Sequence, residues 1–283
     1  MRKTTLALLG LGLLGAPCVW AQEQSPFSNR FFEVKQYSQE ENEAIVKKFR
    51  GPLVRTTDVA DALQMVGLHG VTLMDRDIDP MWIDNEKFSH VIYGVAITLR
   101  LVPPQERAPA RAFSSDEEFQ QWKREWSGRW MGGGLSVHIQ PDTILVIDAP
   151  LRADNGYCGS NNAMGWLGRG LRGIVTDAGC RDSDEMRLEG IPVYQRESTR
   201  WINQGTIAVE SYNQPVVVGG VLVMPGDVIV ADLDGVAVVP RAKAETVAAF
   251  ARKIREDDNE GRRRHYEKMG RPLDFTFRLD RDP

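Results

Sequence analysis

Arg181 and Asp182 follow directly on Gly173-Ile174-Val175-Thr176-Asp177-Ala178-Gly179-Cys180, and here chemistry first becomes legible in the chain. Residues 174–176 are a short apolar run that reads as a buried strand, broken by a small-residue turn that delivers a guanidinium and a carboxylate together. In an open α/β sheet, ligands bind beyond the carboxyl ends of the strands, so the pair falls where a site is expected. As a lone dipeptide it reads as a surface salt bridge, and the residues around it shift that reading. Gly159-Ser160-Asn161-Asn162 opens a helix expected over about 163–169. The free N–H groups of a helix's first turn, with its positive dipole end, form an anion site. If that helix packs beside the strand, three things share one place: a small carboxylate on the N–H groups, a carbonyl or second carboxylate on Arg181, and a metal on Asp182. Asn161 and Asn162 read equally well as helix caps.

Several chemistries fall away. The four histidines, His69, His90, His138 and His265, are scattered without ligand spacing, which argues against zinc. There is no Gly-x-Ser-x-Gly elbow, no phosphate-cradling loop with a lysine, and no glycine-rich fingerprint after a strand for a nicotinamide or methyl donor. What remains is oxygen-rich, and a hard divalent cation, Mg2+ or Mn2+, suits it. Mg2+ keeps several waters and uses only one or two carboxylates.

The elements that must position these groups follow from composition and pattern. The chain has 283 residues, 42% hydrophobic and 26% charged, which is ordinary for a globular protein. A net charge of −4 gives no electrostatic footprint for nucleic acid. The one basic cluster, Arg262-Arg263-Arg264, lies among acidic residues and reads as a solvated helix face. Residues 1–21 read as a cleaved signal peptide: Arg2 and Lys3 precede a short apolar core, and Val19-Trp20-Ala21 offers small residues where a peptidase reads. An exported, periplasmic protein is therefore expected. No later run is long and apolar enough to span a membrane. Cys158 and Cys180 remain after cleavage, and the compartment permits a disulfide between them; two buried free thiols is the other reading.

An N-terminal arm and helix are expected over 22–50, with helical spacing at 40–49. Thr56-Thr57-Asp58 looks like the cap of a helix over 59–66. A strong β run at 91–101 is closed by Pro103-Pro104. Residues 103–134 form a Trp-rich insertion. In it Ser114-Ser115-Asp116-Glu117 caps a helix bearing Phe119, Trp122 and Trp126, which read as packing on the main body or a partner, or as a stacking platform. Strands are expected at 143–148, 191–194, 206–210, 216–218, 221–224, 228–231 and 236–239. Asp232-x-Asp234-Gly235 reads as a hairpin turn, since it lacks the later ligands of a calcium loop. A long amphipathic helix and tail follow over 241–283. The grammar is that of a layered α/β domain with a mixed sheet, over 51–240.

The stretch 169–182 resembles the signature of the regulator-of-ribonuclease-activity-A-like (RraA-like) family, which includes the 4-hydroxy-4-methyl-2-oxoglutarate (HMG) aldolases. Residues 223–240 are similar to its second signature, and Asp61-Ala62-Leu63 with Gly67 and Gly94-x-Ala96-x-Thr98 match its weaker N-terminal marks. The likeness covers about residues 50–270; the signal segment and the 103–134 insertion depart from the shorter members. The resemblance implies a β/β/α swivelling-domain-like sandwich with flanking N- and C-terminal helices, assembled as a homotrimer or homohexamer with sites at subunit interfaces. It implies a metal held by Asp182, largely through water, a substrate carboxylate on the amides of Gly159, Ser160, Asn161 and Asn162, and Arg181 stabilising an enolate. A carboxylate from the neighbouring subunit's C-terminal helix is also implied. Glu260 is the candidate, though it reads equally as a plain surface residue. The expected activity is metal-dependent carbon–carbon cleavage of a 2-oxo acid: retro-aldol release of pyruvate, oxaloacetate decarboxylation, or both. Members that inhibit ribonuclease typically lack the Asp, so the Arg181–Asp182 pair favours the lyase; the alternative is a non-catalytic binding or regulatory protein on the same scaffold.

Overall fold

The computed structural model describes residues 34–106, 112–150 and 154–278. The stretch 1–21 expected to be a signal peptide, the start of the arm, part of the insertion's proline-rich entry and the last residues of the tail lie outside these. The helices are α1 (Gln39–Arg50), α2 (Thr56–Met65), α3 (Asp116–Trp126), α4 (Ser160–Leu167), α5 (Ser183–Leu188) and α6 (Ala244–Lys268). The strands are β1 (Asp79–Pro80), β2 (Ile92–Val102), β3 (Thr143–Asp148), β4 (Asn155–Gly156), β5 (Leu171–Thr176) and β6 (Val193–Gln195), followed by β7 (Trp201–Ile202), β8 (Ala208–Tyr212), β9 (Val216–Val218), β10 (Val221–Val223), β11 (Val228–Asp232) and β12 (Gly235–Val239).

The main sheet runs β1-β6-β5-β3-β2-β11-β12. Strands β2, β3, β5 and β6 are mutually parallel, and β11 and β12 close the far side antiparallel. One edge of β2 is divided: Ile92–Val95 pair with β11, whereas Leu99–Val102 pair with β8. The strands are near-continuous apolar runs because both faces of the sheet are covered. With side chains alternating along a strand, Tyr93, Val95, Val228, Val230, Ala237 and Val239 face α1, α2 and α6, where Val46, Phe49, Val59, Leu63 and Val247 are buried. Leu99, Leu145, Ile147 and Ile174 face the side where α4 and α5 supply Ala163 and Met186. The alternate residues, Ile92, Ala96, Ile144, Val146, Val175, Ile229 and Val238, turn inward onto Val216, Val218, Val221 and Val223 of the β9–β10 hairpin. Hairpin, sheet and helices thus stack as the expected β/β/α layers.

Local chemistry sets the boundaries. Helix α2 begins at Thr56, not after a 56–58 cap, because the Asp58 carboxylate reaches back to the Arg55 N–H at 2.8 Å. Thr56 N–H donates to Asp232 Oδ2 (2.8 Å), tying the helix start to the β11–β12 turn. Asp232 Oδ1 accepts from Asp234 N–H (2.9 Å), so the 232–235 stretch is the expected hairpin turn. In the insertion, Ser115 Oγ accepts from Glu118 N–H and caps α3 as expected. Trp126 is buried on the main body, its Nε1 donating to Ile207 O at 3.3 Å. The chain leaves the insertion by passing over the Tyr212 ring; a Cβ at Gly134 would lie 2.9 Å from that ring. No helix among the described residues is long and apolar enough to cross a membrane.

Candidate active site

Strand β5 ends at Thr176, and the turn after it is pinned from several sides. Thr176 Oγ1 accepts from Ala178 N–H (3.0 Å), Cys180 N–H donates to Gln195 Oε1 (2.6 Å), and Thr199 N–H donates to Cys180 O (3.0 Å). A parallel bridge joins Gly156 to Gly179, and Arg181 N–H donates to Cys158 O at 3.0 Å, so the 156–159 segment runs alongside the turn. That brings the Gly159–Asn162 group and the Arg181–Asp182 pair together, as their sequence reading requires.

Helix α4 starts at Ser160, three residues earlier than expected, with Gly159 as its N-cap. Asp182 has left-handed backbone geometry (φ 61°), which turns its side chain toward that helix start. Asp182 Oδ2 accepts from Ser160 N–H (3.2 Å), and Oδ1 accepts from Arg181 Nε (3.2 Å). A Cβ at Gly159 would overlap Asp182 Oδ2, so only glycine lets the carboxylate reach the helix. The Ser160 amide is therefore engaged by Asp182 and is not open to a ligand. The Asn161 and Asn162 N–H groups, which have no acceptor within the first turn of a helix, remain for one. Ser160 is buried and its Oγ donates to Glu185 Oε2 (2.5 Å). Glu185 belongs to α5, a six-residue helix that starts right after Asp182 and that the sequence reading missed. Its one signal was Ser183-Asp184-Glu185, the polar opening of a helix.

Gly159, Asn161, Asn162, Arg181 and Asp182, though not Ser160 or Glu185, line a cleft of about 310 Å³ with Gly156, Tyr157, Ile202, Asn203, Gln204 and Lys123. Arg181 and Asp182 are each about one-third exposed there, at 34% and 33%. Arg181 Nε is taken by Asp182, and among the described residues neither Nη group is hydrogen-bonded, which leaves both for a ligand. Lys123 comes from α3, so the insertion reaches the cleft; spacing within the insertion could not have shown this. Glu260, exposed on α6, is not among the residues lining this cleft. Cys158 and Cys180 are both buried free thiols, and burial followed by the Cys180 contact pushes the Cys158 thiol well above the ordinary range. Among the described residues no group of three or more His, Cys, Asp and Glu side chains converges as a metal cage. A hard, water-rich cation does not need one. The Asp182 carboxylate beside Asn161 and Asn162 is an all-oxygen donor set that fits Mg2+ or Mn2+.

Comparison with known proteins places this architecture. A family model described as RraA-like, Aldolase/RraA, matches residues 56–238. A Halalkalibacterium halodurans protein named "Putative 4-hydroxy-4-methyl-2-oxoglutarate aldolase" is 33% identical over 118 residues, 42% of this chain and 56% of that protein. The chain spans about half the length of the curated relatives it matches. Among solved structures, Streptomyces coelicolor RraAS2, described as an unusual member of the RNase ES inhibitor RraA protein family, is 25% identical with a TM-score of 0.60, covering 81% of this chain and 100% of that one. An uncharacterized protein from Pseudomonas syringae pv. tomato shares the fold at 20% identity and a TM-score of 0.60, over 87% of this chain and 96% of its own.

Proposed function

The chain belongs to the RraA-like family, and from that premise we propose that it is a lyase breaking a carbon–carbon bond of a small 2-oxo acid in the Arg181–Asp182 cleft. One observation carries the reading. A guanidinium with both Nη groups left over by its carboxylate neighbour, two open helix N–H groups and a lysine line a single polar cleft. In retro-aldol cleavage the C3–C4 bond breaks and its electron pair moves toward C2, so charge gathers on the 2-oxo oxygen. The 4-hydroxyl loses its proton as C4 becomes a carbonyl, and protonation at C3 gives pyruvate. Decarboxylation of oxaloacetate reaches the same enolate with loss of CO2. The Arg181 Nη groups would donate to that oxygen, most strongly when its charge is largest, which is how a fixed donor lowers a barrier. The Asn161 and Asn162 N–H groups would hold the 1-carboxylate. Asp182, fixed by Ser160 N–H and Arg181 Nε, would hold Mg2+ or Mn2+, which when bound would supply Lewis-acid polarisation of the 2-oxo group. Glu260 would serve from a neighbouring subunit of a homotrimer or homohexamer, since its own chain does not bring it to the cleft.

Lys123 bears on the substrate. HMG carries a second carboxylate that survives cleavage, and Lys123 can hold it. In oxaloacetate the second carboxylate must leave as neutral CO2, and a cation holding it would oppose the reaction. Lys123→Ala should therefore raise KM for HMG about tenfold, the worth of a hydrogen bond to a charged group, with kcat nearly unchanged. It should leave oxaloacetate turnover equal or faster; steady-state assays on both substrates check this.

The direct test is pyruvate release from HMG and from oxaloacetate by purified protein with Mg2+ or Mn2+, with and without a chelator. Release that the chelator stops supports the lyase. Folded protein inert toward both would sink it in favour of a non-catalytic binding protein, the reading that the description of the Streptomyces relative suggests.

A further inference from the structure

A second cavity, about 390 Å³, lies where the start of α2, the 85–93 segment, the β11–β12 turn and α6 meet, and it shares no lining residue with the Arg181 cleft. One wall is apolar, with Leu53, Phe88 and Val91; the other carries Arg55, Arg255 and Arg262. Arg255 is the anomaly. It is 3% exposed, its Nη2 donates to Thr276 O (2.9 Å), and among the described residues its Nε has no hydrogen-bond partner. Buried charges are otherwise almost always paired, and no carboxylate among the described residues is bonded to this one. Burial lowers the pKa of Arg255, and the charge of Arg55 works in the same direction.

The neighbouring charges do not fill the gap. Arg55 is engaged by Asp58 and Asp258. Among the described residues Arg262 has only neutral hydrogen-bond partners, its Nη1 on Asn259 Oδ1 (3.0 Å) and its Nη2 on Thr276 Oγ1 (2.9 Å). Asp232 also lines the cavity, but both of its oxygens accept backbone N–H groups, from Thr56 and Asp234. The Arg262-Arg263-Arg264 run, read from sequence as one solvated face, is thus split: Arg263 and Arg264 are exposed, and Arg262 lines the cavity.

We propose that this cavity binds a small organic carboxylate, its charge on Arg255 and Arg262 and its apolar body against Leu53, Phe88 and Val91. A bare inorganic anion would leave the apolar wall unmatched. The inference does not rest on the lyase reading.

Benzoate is the probe, with inorganic phosphate as the second arm, added to the full-length protein and followed by calorimetry and thermal denaturation. Benzoate should bind saturably and raise Tm, phosphate should bind at least tenfold more weakly, and Asp182→Ala should bind benzoate like wild type. Arg255→Met should weaken benzoate at least tenfold while being no less stable than wild type, because an apolar chain of similar length replaces a buried charge that no carboxylate among the described residues pairs. A merely structural Arg255 would show the reverse, lost stability with benzoate affinity retained. Should Arg255→Met fail to fold, Arg262→Gln on the half-exposed face of α6 carries the same expectation of weaker binding. Absence of benzoate binding to wild type, preference for phosphate, wild-type affinity in the arginine variants, or loss of binding in Asp182→Ala would each overturn the proposal.

Discussion

Asp182→Ala should remove pyruvate release from both substrates, by about three orders of magnitude or more, as expected when the group that holds a catalytic cation is lost. Among the described residues Asp182 is the only carboxylate lining the cleft, so none of them can take its place there. Its two oxygens are already oriented by Ser160 N–H and Arg181 Nε, and it presents a fixed charge at the helix start. The alanine variant carries a side cost: it lacks the short polar side chain whose local hydrogen bonding lets Asp and Asn tolerate this left-handed backbone. Asn tolerates that conformation better, so Asp182→Asn is the cleaner control, with fold and Tm kept and charge removed. A coupled assay for pyruvate, run across a metal titration, reads both variants. Wild-type activity with unchanged metal dependence in Asp182→Asn would show that the site lies elsewhere.

Arg181→Ala should lower kcat by about 10²–10³, the ~3–4 kcal/mol that one donor to a developing oxyanion contributes. The loss should fall mainly on kcat, because the Nη groups are proposed to bind the enolate oxygen better than the ground-state carbonyl. Arg181→Lys should recover part of it. It restores the charge but neither the Nε bond to Asp182 nor a second donor in a fixed fork. An Arg181→Ala defect confined to KM would instead make Arg181 a binding group only.

The strands that build the site were legible because both faces of the sheet are covered, which writes each as a dense apolar run; 143–148 was read with the ends it has in the structure. The β/β/α layering and the family followed from the two signature stretches, and the family model and the solved relatives agree. Helix α5 was not legible, since six residues with Met186 alone buried carry no stripe. Nor could the sequence show that Asp182 would take the Ser160 amide, because that contact joins residues 22 positions apart through a left-handed turn. The same holds for Lys123, whose place in the cleft depends on how Trp126 and Tyr212 seat the insertion. Pairing across long separations is set by packing, and periodicity does not encode it.

The divided edge of β2 makes the sheet two cooperative units of unequal strength. Its first half is zipped to β11 beneath the three-helix core, while its second half is zipped on that edge to β8, the segment on which the insertion rests. Local openings follow such units, and the parts that move to admit ligands come from the weaker ones. Amide hydrogens of 208–212 and of α3 should therefore exchange with deuterium well before those of 228–232, as mass spectrometry can follow. The Lys123 wall can then breathe as one piece while Arg181, anchored beside the Gly156–Gly179 bridge, stays in place. On the proposed lyase reading, substrate entry and product exit would require no motion in the segment that carries Arg181 and Asp182.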